Sequence, residues 1–250
     1  MRIAVVSDIH GNLRALDAVL ADSASRSVDL TVNLGDLLSG GLHPAETADR
    51  LIPLALPTVR GNHEHQVLTI PRELMGLSDG RARDTMTAEH LRWFASLPLA
   101  CEPAPGVLMF HGTPNDDATY LLESVDTDGA RAATADEVVE RLGEWSSGWG
   151  LMLCGHTHIP RSLRLDSGTL VVNPGSVGWP AYDDDEPFPH VMEAGSPGAR
   201  YAIVEDTSGQ WEAAFYTVHY DWEAAARDAE GLNRPDVACA LRTGRVMAGR

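Results

Sequence analysis

Short apolar runs that end in polar, chemically active residues recur along the chain, and this pattern constrains the fold more than any other feature. Ile3 to Val6 leads into Asp8 and His10, and Leu30 to Leu34 leads into Asp36. Short apolar runs bounded by turn residues are typical of buried β-strands. Four more runs follow this pattern, at Pro57 to Val59, Val107 to Phe110, Leu151 to Cys154 and Thr169 to Val172. The sequence therefore predicts six strands whose ends carry groups able to bind a metal ion or a phosphate.

Stretches of helical periodicity separate several of these runs. Leu13 to Ala24, Pro44 to Leu54 and Thr134 to Trp145 are predicted helices. The first half of the chain thus follows a β-α-β-α-β order, which indicates an α/β fold with a crossover sheet. Ligands of such folds bind outside the carboxyl ends of the strands, so we expect the polar residues there to converge.

We expect a single domain over residues 1–250 that contains two segments of different character. Residues 66–98 show helical signals without a strong strand, which predicts a helical insertion beside the site. Residues 179–199 are predicted to form a variable loop. The remaining predictions are two hairpins, Arg161 to Leu165 with Thr169 to Val172 and Tyr201 to Glu205 with Trp211 to Tyr220, and two terminal helices, Asp221 to Gly231 and Pro235 to Arg242.

The charge and cysteine content argue against several classes of protein. A formal net charge of −17 disfavours a partner that is a nucleic acid polymer, because neutralising phosphates requires clustered Lys and Arg. Three cysteines far apart in the sequence fit neither a disulfide framework nor a zinc-thiolate site, so we expect a cytoplasmic location. No apolar run is long enough to span a bilayer, so we expect no membrane partner. The sequence leaves the oligomeric state undetermined.

Seven side chains at the predicted strand ends suit a site for two metal ions. Hard divalent cations that act as Lewis acids prefer carboxylate and amide oxygen together with imidazole nitrogen, and a two-metal site needs roughly seven such ligands. The set is Asp8, His10, Asp36, Asn62, His111, His156 and His158. Each motif alone has an ordinary structural interpretation, because Asp-x-His after a strand is commonly a helix cap or a turn. The complete set, with every member at a strand end, favours the metal site.

Two of these motifs place their ligands two residues apart. We expect the alternation of side chains along a strand to direct Asp8 and His10 toward the same ion. His156 and His158 have the same spacing, but there loop geometry could decide which ion each residue binds.

The order of the motifs resembles that of the calcineurin-like metallophosphoesterases. Asp-x-His, Gly-Asp, Gly-Asn-His-Glu, a single His and Gly-His-x-His occur in turn, at 8–10, 35–36, 61–64, 111 and 155–158. Ser7 to Leu16, His111 to Pro114 and Asn173 to Gly178 are similar to the small bacterial and archaeal phosphodiesterase branch, which is described as similar to diadenosine tetraphosphatases. The resemblance covers about Arg2 to Gly178.

The resemblance implies both a fold and a division of roles among the site residues. The implied fold is a four-layer α-β-β-α sandwich of two mixed β-sheets flanked by helices. His63 is implied to be the catalytic residue that stabilises or protonates the leaving oxygen. The implied ligands are Asp8, His10 and His158 for one ion, Asn62, His111 and His156 for the other, and Asp36 as the bridge between them.

The chemistry that follows is metal-dependent hydrolysis of a small phosphate ester. Two cations lower the pKa of a bridging water, so that hydroxide attacks phosphorus in line without a covalent intermediate. We expect two divalent transition-metal ions, with Mn²⁺ first and Fe, Ni or Zn as alternatives, because availability as well as ligand type selects the metal. The expected substrate is a small phosphorylated molecule, a diester or a monoester, with a nucleotide as one option.

Three residues are weaker candidates for contacts with the substrate. Arg60 could position a phosphate or pair with Asp36, and His43 could reach the phosphate or begin the helix that follows it. Trp179 could stack on a base or pack locally, and local packing is favoured because aromatic side chains in loops usually pack on the domain. The acidic run at 183–186 is interpreted as a solvated loop.

Two other functions are compatible with the same fold. A phosphoprotein phosphatase would use the same chemistry on a protein partner. A non-catalytic binding scaffold is disfavoured, because such a protein typically lacks ligands or the leaving-group histidine, whereas Asp36, Asn62 and His63 are all present here.

Overall fold

The structure, a computed structural model, describes residues 1–248. Within these residues the strands are β1 (Arg2–Val6), β2 (Leu30–Asn33), β3 (Ala100–Ala104), β4 (Val107–Phe110), β5 (Glu123–Asp126), β6 (Gly129–Ala132), β7 (Leu151–Leu153), β8 (Arg161–Arg164), β9 (Leu170–Asn173), β10 (Ala181–Asp184), β11 (His190–Glu193), β12 (Ala199–Thr207) and β13 (Gln210–Val218). The α-helices are α1 (Leu13–Ala24), α2 (Pro44–Leu51), α3 (Asn62–Thr69), α4 (Leu77–Thr85), α5 (Ala88–Ser96), α6 (Ala135–Leu142), α7 (Trp222–Gly231) and α8 (Pro235–Thr243). None of these helices combines the length and the apolar character that crossing a membrane requires.

The first of two mixed sheets combines the first two strands of the chain with the last two. Its strand order is β13-β12-β1-β2, with β1 and β2 parallel and β12 antiparallel to both of its neighbours. Helix α1 connects β1 to β2, and a parallel pair needs such a crossover. The helix starts after Asn12, whose side-chain oxygen accepts a hydrogen bond from Ala15 N at 3.2 Å.

The second sheet has the order β3-β4-β7-β9-β8. Its three central strands are parallel, and the edge strands β3 and β8 are antiparallel to their neighbours. The central strands β4, β7 and β9 are fully buried, as expected for parallel strands that are covered on both faces. Their carboxyl ends carry the motifs that begin at His111, Gly155 and Asn173.

The pleat of the strands divides the apolar side chains among three buried clusters. Ile3 and Val5 of β1 lie between the two sheets, in the same cluster as Met109 of β4. Ala4 and Val6 alternate to the other face and pack in the cluster that includes residues of α1, α2, α7 and α8. A third cluster lies between the outer face of the second sheet and α6. The protein is therefore a four-layer α-β-β-α sandwich, as the sequence resemblance implied.

Two segments differ from the predicted elements. The predicted strand Pro57 to Val59 is wrong, because it forms only an isolated parallel bridge between Thr58 and Asn33. Pro57 has no N–H to extend a ladder, which keeps this pairing short. The predicted variable loop at 179–199 contains the antiparallel hairpin of β10 and β11. Residues 66–98 contain α4, α5 and the second half of α3.

Candidate metal centre

Five of the candidate ligands lie in loops with left-handed backbone conformation. Asp8, His10, Asp36, His156 and His158 have φ between 51° and 71°, and they are five of the nine described non-glycine residues with positive φ. This conformation is uncommon for residues with a Cβ and is concentrated at functional sites.

The strand pleat does not explain how Asp8 and His10 come together, so that part of the prediction is wrong. Strand β1 ends at Val6, before either residue. The left-handed turns bring the two side chains together instead.

Backbone hydrogen bonds hold these loops against one another. Asp8 N donates to Gly35 O and His10 N donates to Asp36 O, both at 3.0 Å. Gly178 N donates to Asp8 O at 3.0 Å from the other side. A Cβ on Gly178 would overlap the carbonyl oxygen of Ile9, so only glycine allows this close approach. The ligand loops are therefore fixed by packing of main chain on main chain.

The first group of ligand atoms comes from Asp8, His10, Asp36 and His158, whose ligating atoms all lie within 4.8 Å of one another. His10 Nε2 and His158 Nε2 are 3.0 Å apart, and His158 Nε2 is 3.3 Å from Asp8 Oδ1. His10 Nδ1 donates to Ser39 O at 2.5 Å, and His158 Nδ1 donates to Trp179 O at 2.6 Å. These carbonyl partners leave both Nε2 atoms as acceptors, and a cation between them would relieve the repulsion of their lone pairs.

The second group consists of Asp36, His111 and His156, with Asn62 beside it. His111 Nε2 lies 3.3 Å from Asp36 Oδ2 and 3.2 Å from Asn62 Oδ1. His111 Nδ1 donates to Leu34 O at 2.7 Å, which leaves Nε2 for an ion. His156 Nε2 donates to Ala118 O at 2.8 Å, so its free ligand atom is Nδ1.

Asp8 provides the test of whether a cation fits this centre. Its side chain is fully buried, and neither carboxylate oxygen receives a hydrogen bond from any described residue. Burial raises the pKa of Asp8, but His158 and His111 outweigh it, so the net pKa is lowered. A buried carboxylate without hydrogen bonds is costly unless a cation compensates its charge. The residues present therefore fit a centre of divalent ions.

Carboxylates raise the pKa of two histidines in the metal-free centre. Burial by itself lowers the pKa of His111, but Asp36 and Asp8 outweigh it and raise the pKa to about 10. Burial also lowers the pKa of His63, whereas Asp36 and Asp79 raise it to about 9. Without bound ions, both rings are therefore protonated on both nitrogens, and positively charged, at neutral pH.

Burial dominates at two other histidines. Burial together with the neighbouring His158 lowers the pKa of His10 to about 3, and burial together with His111 lowers the pKa of His156 to about 4. Neutral imidazole is the form that binds a metal ion. His10 and His156 are therefore ready to act as ligands at neutral pH.

His63 stands beside the ligand groups and is fixed by an aspartate of the helical insertion. Its Nδ1 lies 2.7 Å from Asp79 Oδ1, on helix α4. Its backbone N donates to Asp36 Oδ1 at 3.1 Å, and its ring makes an edge contact with His10, with centroids 5.4 Å apart. The pair fixes the ring and leaves Nε2 as the nitrogen that can meet a substrate.

Glu64 ties the two loops that carry Asp36 and Asn62 together. Its side chain is fully buried and accepts hydrogen bonds from the backbone N of Asp36, Leu37 and Gly61 at 2.7 to 2.9 Å. Burial and the nearby Asp36 raise the pKa of Glu64 to about 7. This carboxylate positions Asp36 and is not itself a candidate ligand.

The three predicted substrate residues have different surroundings. Trp179 lines the main cavity, a space of about 390 Å³ in front of the ligand groups, and its ring packs edge-on against His10 at 5.1 Å. Arg60 pairs with Asp117 at 3.2 Å, and not with Asp36, and it lines a neighbouring pocket. His43 is not among the described residues that line the main cavity.

His43 begins the helix that follows it. It occupies the N-cap position of α2, and its Nε2 lies 3.0 Å from Asp228 Oδ2. The second of the two interpretations given for His43, the start of a helix, therefore describes its position.

The main cavity has walls that the sequence motifs did not indicate. Tyr120 packs against His156 with ring centroids 4.8 Å apart, and Tyr182 packs against His158 at 4.7 Å. Their hydroxyls are joined by a hydrogen bond of 2.8 Å. The sequence signal for Tyr182 was its place in the aromatic stretch that starts at Trp179, but Tyr120 follows no motif.

Comparison with known proteins agrees with this geometry. The model of the calcineurin-like phosphoesterase superfamily domain matches residues 1–193, which contain every candidate ligand. The chain belongs to the calcineurin-like phosphoesterase superfamily. This membership makes it one of the metallophosphoesterases, a group of hydrolases, and the buried cluster of Asp and His is its candidate metal site.

Relatives of this calcineurin-like phosphoesterase occur among archaea and bacteria. It is 30% identical to an uncharacterized protein of Methanocaldococcus jannaschii over 202 aligned residues. The alignment covers 71% of this chain and 76% of that protein. Its fold is similar to the crystal structure of a metallophosphoesterase from Sphaerobacter thermophilus, with a TM-score of 0.73 and 24% identity over 98% of this chain and 99% of that one. A candidate diadenosine tetraphosphatase is similar at a TM-score of 0.51 and 17% identity, over 86% and 93% of the two chains.

The part of this calcineurin-like phosphoesterase that follows the family match also reaches the cavity. Arg234, the N-cap of α8, and Asp236, in the first turn of that helix, line the main cavity although the match ends at residue 193. Arg234 lies over the Trp179 ring, with its guanidinium carbon 5.6 Å from the ring centre. Sequence reasoning missed Arg234 because it lies in no motif and far along the chain from the ligands.

Proposed function

We propose that this protein uses two divalent transition-metal ions to hydrolyse a small phosphate ester. The observation that carries the proposal is the place of Asp36, which belongs to both groups of ligand atoms and lines the main cavity. His63 lines the same cavity. A carboxylate common to two ligand groups, with a histidine beside it, supports a dinuclear hydrolytic site.

The chain's own contribution is to orient and shield the ligands. Two bound divalent ions would lower the pKa of a bound water and compensate the charge that develops on the phosphoryl oxygens. The carbonyls of Ser39, Trp179 and Leu34 fix the rings of three histidines through their Nδ1 atoms. Loss of a hydrogen-bond partner that orients a metal ligand typically lowers metal affinity or activity by about 10–100-fold.

His63 would donate a proton to the leaving oxygen. Asp79 holds Nδ1 at 2.7 Å and helps to raise the pKa of the ring, so Nε2 is the donor. Proton transfer of this kind typically contributes about 10²–10⁴-fold to the rate.

Mn²⁺ is the first ion to test, because oxygen and imidazole ligands without thiolate suit it, and Fe, Ni and Zn are the alternatives. The three cysteines, Cys101, Cys154 and Cys239, are free thiols, which is compatible with the cytoplasm as the proposed compartment. The proposed partner is a small phosphorylated molecule.

The proposal is tested with bis-p-nitrophenyl phosphate. Protein treated with a chelator should be inactive and should regain activity with Mn²⁺. Asp36→Asn should lose metal and lower kcat by more than about 100-fold, beyond the range for partners of metal ligands. The matched control is His219→Ala, an exposed histidine outside the main cavity, which should retain metal content and activity.

Metal-loaded protein that hydrolyses neither this diester nor p-nitrophenyl phosphate with any of the four metals would refute the proposal. That result would favour a non-catalytic scaffold. Activity confined to phosphorylated proteins would favour a phosphoprotein phosphatase.

A further inference from the structure

The two histidines of the Gly-His-Thr-His motif are held by neighbouring loops in the same way. His156 and His158 both have left-handed backbone, with φ of 71° and 61°. Each ring donates one hydrogen bond to a carbonyl, from His156 Nε2 to Ala118 O at 2.8 Å and from His158 Nδ1 to Trp179 O at 2.6 Å. A bond of this kind selects the tautomer whose other nitrogen is free to bind a metal ion.

The same two loops also supply a tyrosine ring to each histidine. Tyr120 follows the first of these carbonyls by two residues and packs edge-on against His156, with ring centroids 4.8 Å apart. Tyr182 follows the second carbonyl by three residues and packs edge-on against His158 at 4.7 Å. Edge-on packing of aromatic rings is favoured by their charge distribution. Each imidazole is therefore held by a carbonyl at one nitrogen and by a tyrosine beside its ring.

The tyrosine hydroxyls belong to a chain of hydrogen bonds that ends on His190. Nδ1 of His190 donates to Phe188 O at 2.8 Å, so its Nε2 accepts from the Tyr120 hydroxyl at 3.2 Å. Because the Tyr120 proton is used in this bond, Tyr182 donates the hydrogen bond of 2.8 Å between the two hydroxyls. The chain therefore has a single direction, from Tyr182 through Tyr120 to His190.

The β10–β11 hairpin carries both ends of this chain. Tyr182 lies on β10, and His190 is the first residue of β11 and is only 6% exposed. The hairpin forms a two-stranded sheet of its own, separate from the two main sheets. A segment outside the ligand motifs thus contacts one histidine of the motif directly and the other through Tyr120.

We infer that three residues outside the ligand set act as positioning residues for the imidazole rings of His156 and His158. They are Tyr120, Tyr182 and His190, here called the tyrosine clamp. This inference rests on the proposed function, because it concerns the same metal centre. His158 belongs to the first group of ligand atoms and His156 to the second, so the clamp acts on both. Rings that are already oriented bind an ion more tightly, because their freedom is lost on folding and not on binding.

Calorimetric titration of Mn²⁺ into metal-free protein measures the effect of the clamp without turnover. Tyr120→Phe keeps the ring beside His156 but breaks both hydroxyl bonds, and it should lower the affinity for Mn²⁺ by about threefold. Tyr120→Leu also removes the ring and should lower the affinity by about tenfold or more. If Tyr120→Leu does not fold, Tyr120→Phe still permits the measurement. Unchanged affinity in the variants that fold would overturn the inference.

The matched control is Tyr216→Leu, which removes a tyrosine ring outside the main cavity. Tyr216 stacks on Tyr201 with ring centroids 5.2 Å apart and packs against the cluster between the first sheet and its helices. This variant should lower the free energy of unfolding but leave the affinity for Mn²⁺ unchanged. A fall in affinity equal to that of Tyr120→Leu would assign the effect to lost stability alone and would contradict the clamp.

A double variant tests whether the hydroxyls act as one chain. Since Tyr120→Phe already breaks both hydroxyl bonds, the addition of Tyr182→Phe should lower the affinity for Mn²⁺ no further. Losses that multiply in the double variant would show that the two hydroxyls act independently, and the inferred chain would be wrong.

Conservative replacement of His190 tests the end of the chain. His190→Leu removes the acceptor of the Tyr120 hydroxyl and should lower the affinity for Mn²⁺ by about threefold. His190→Gln retains an acceptor oxygen on a side chain of similar reach and should restore most of that affinity. Equal losses in the two variants would contradict the role given to the hydrogen bond.

Metal binding and hydrolysis separate this inference from the proposed function. Weaker binding of Mn²⁺ by the clamp variants, in a protein that hydrolyses no ester, would support the clamp and refute the proposed activity. Unchanged metal affinity of Tyr120→Leu in a protein that hydrolyses bis-p-nitrophenyl phosphate would support the activity and refute the clamp.

Discussion

At the scale of single residues, the ligand set satisfies two requirements at once. The five candidate ligands with left-handed backbone are aspartates and histidines, the types that, with asparagine, adopt positive φ most often among residues other than glycine. They are also the types that bind hard divalent cations. Replacement of His158 by a β-branched residue would therefore disturb the loop as well as remove a ligand.

Asp79 is predicted to act by positioning His63. Asp79→Asn keeps the shape of the side chain but should leave the His63 ring with the wrong tautomer or orientation, because the carboxylate at 2.7 Å from Nδ1 is lost. We expect kcat to fall by about 10²-fold for alkyl phosphate esters, which need a proton on the leaving oxygen, and by less than about threefold for p-nitrophenyl esters. Steady-state kinetics with a series of leaving groups measures this difference.

The matched control for this variant lies on the same helix. Asp84→Asn removes an exposed carboxylate of α4 that pairs with Arg72 at 2.6 Å. This variant should leave kcat unchanged for both alkyl and p-nitrophenyl esters. A uniform loss of rate for all leaving groups in Asp79→Asn would assign Asp79 a structural role only.

The sequence singled out the candidate ligands because each lies in a short motif that follows an apolar run. Asp79 and Tyr120 could not be found in this way, because nothing local distinguishes them from other residues of their type. Asp79 reaches His63 only because α4 packs against α3, and Tyr120 reaches His156 across the loop that follows β4. Such contacts depend on tertiary packing that no spacing in the sequence encodes.

At the scale of the elements, local signals predicted the helices better than the edges of the sheets. Helix α1 has the predicted bounds, because Asn12 caps it and its apolar residues follow the helical period. The β10–β11 hairpin was missed because acidic residues and two prolines, Pro187 and Pro189, separate its strands. Polar residues with prolines resemble a loop whenever the strands they connect are short.

Gly178→Ala is predicted to disturb the loop that carries Asp8. The added methyl group would overlap the carbonyl oxygen of Ile9, and relief requires the backbone on either side to move. We expect the free energy of unfolding to fall by about 2 kcal/mol, typical of an overpacked site, together with weaker metal binding. Chemical denaturation and metal titration measure the two effects.

The comparison variant is Gly231→Ala, at the end of α7, where an added Cβ meets no atom within 4 Å. It should be neutral or stabilise the protein by up to about 1 kcal/mol, because alanine favours helix. Equal stabilities for the two variants would contradict the proposed tightness at Gly178.

Asp22 ties α1 to the first sheet in a manner that depends on pH. Its carboxylate accepts hydrogen bonds from Arg26 at 2.7 Å and from Tyr201 at 2.6 Å, and the Arg26 hydrogen bond is the largest cause of its lowered pKa. A lowered pKa stabilises the fold above the ordinary value of 3.8, and this stabilisation is lost as pH falls through the lowered value. Asp22→Asn should therefore lower the free energy of unfolding by about 1 kcal/mol at pH 7. The loss should become progressively smaller below about pH 4.

Urea denaturation of Asp22→Asn at several pH values measures this loss. The control Asp17→Asn is on the same helix as Asp22 and removes an exposed ion pair with Arg50 of α2. It should lower the free energy of unfolding by less than about 0.5 kcal/mol. If the loss of unfolding free energy in Asp22→Asn, relative to the unchanged protein, stayed constant down to pH 2, this would contradict the role given to ionised Asp22.

At the scale of the whole molecule, the candidate centre joins the two sheets. Asp8, His10 and Asp36 follow strands of the first sheet, whereas His111, His156 and His158 follow strands of the second. Ions bound there would link the two sheets at one edge of their common core. The sequence indicated that these ends converge but not that they belong to separate sheets, because strand order is set by long-range pairing.

Metal loading of the whole protein should release protons. The raised pKa of His111, about 10, means that its ring holds a proton at pH 7.5 that must leave before Nε2 can bind an ion. Apparent metal affinity should therefore rise with pH, by about tenfold per pH unit for each proton released. Calorimetric titration of Mn²⁺ into metal-free protein, in buffers with different ionisation enthalpies, measures the number of protons.

His111→Gln provides the comparison, because it removes the imidazole that holds this proton. The variant should release fewer protons and bind Mn²⁺ more weakly. Heats of binding that are identical in all buffers would show that the centre is unprotonated before loading.

The hydrogen bonds between the ligand loops have a further consequence for how ions enter. Asp8 N and His10 N are already bound to the carbonyls of Gly35 and Asp36, and Gly178 N to that of Asp8, through contacts made by the chain alone. The conformational entropy of these loops is therefore lost when the protein folds and not when an ion arrives. Capture of metal then becomes an encounter with a preorganised receptor, limited by removal of water and protons and not by rearrangement of the backbone.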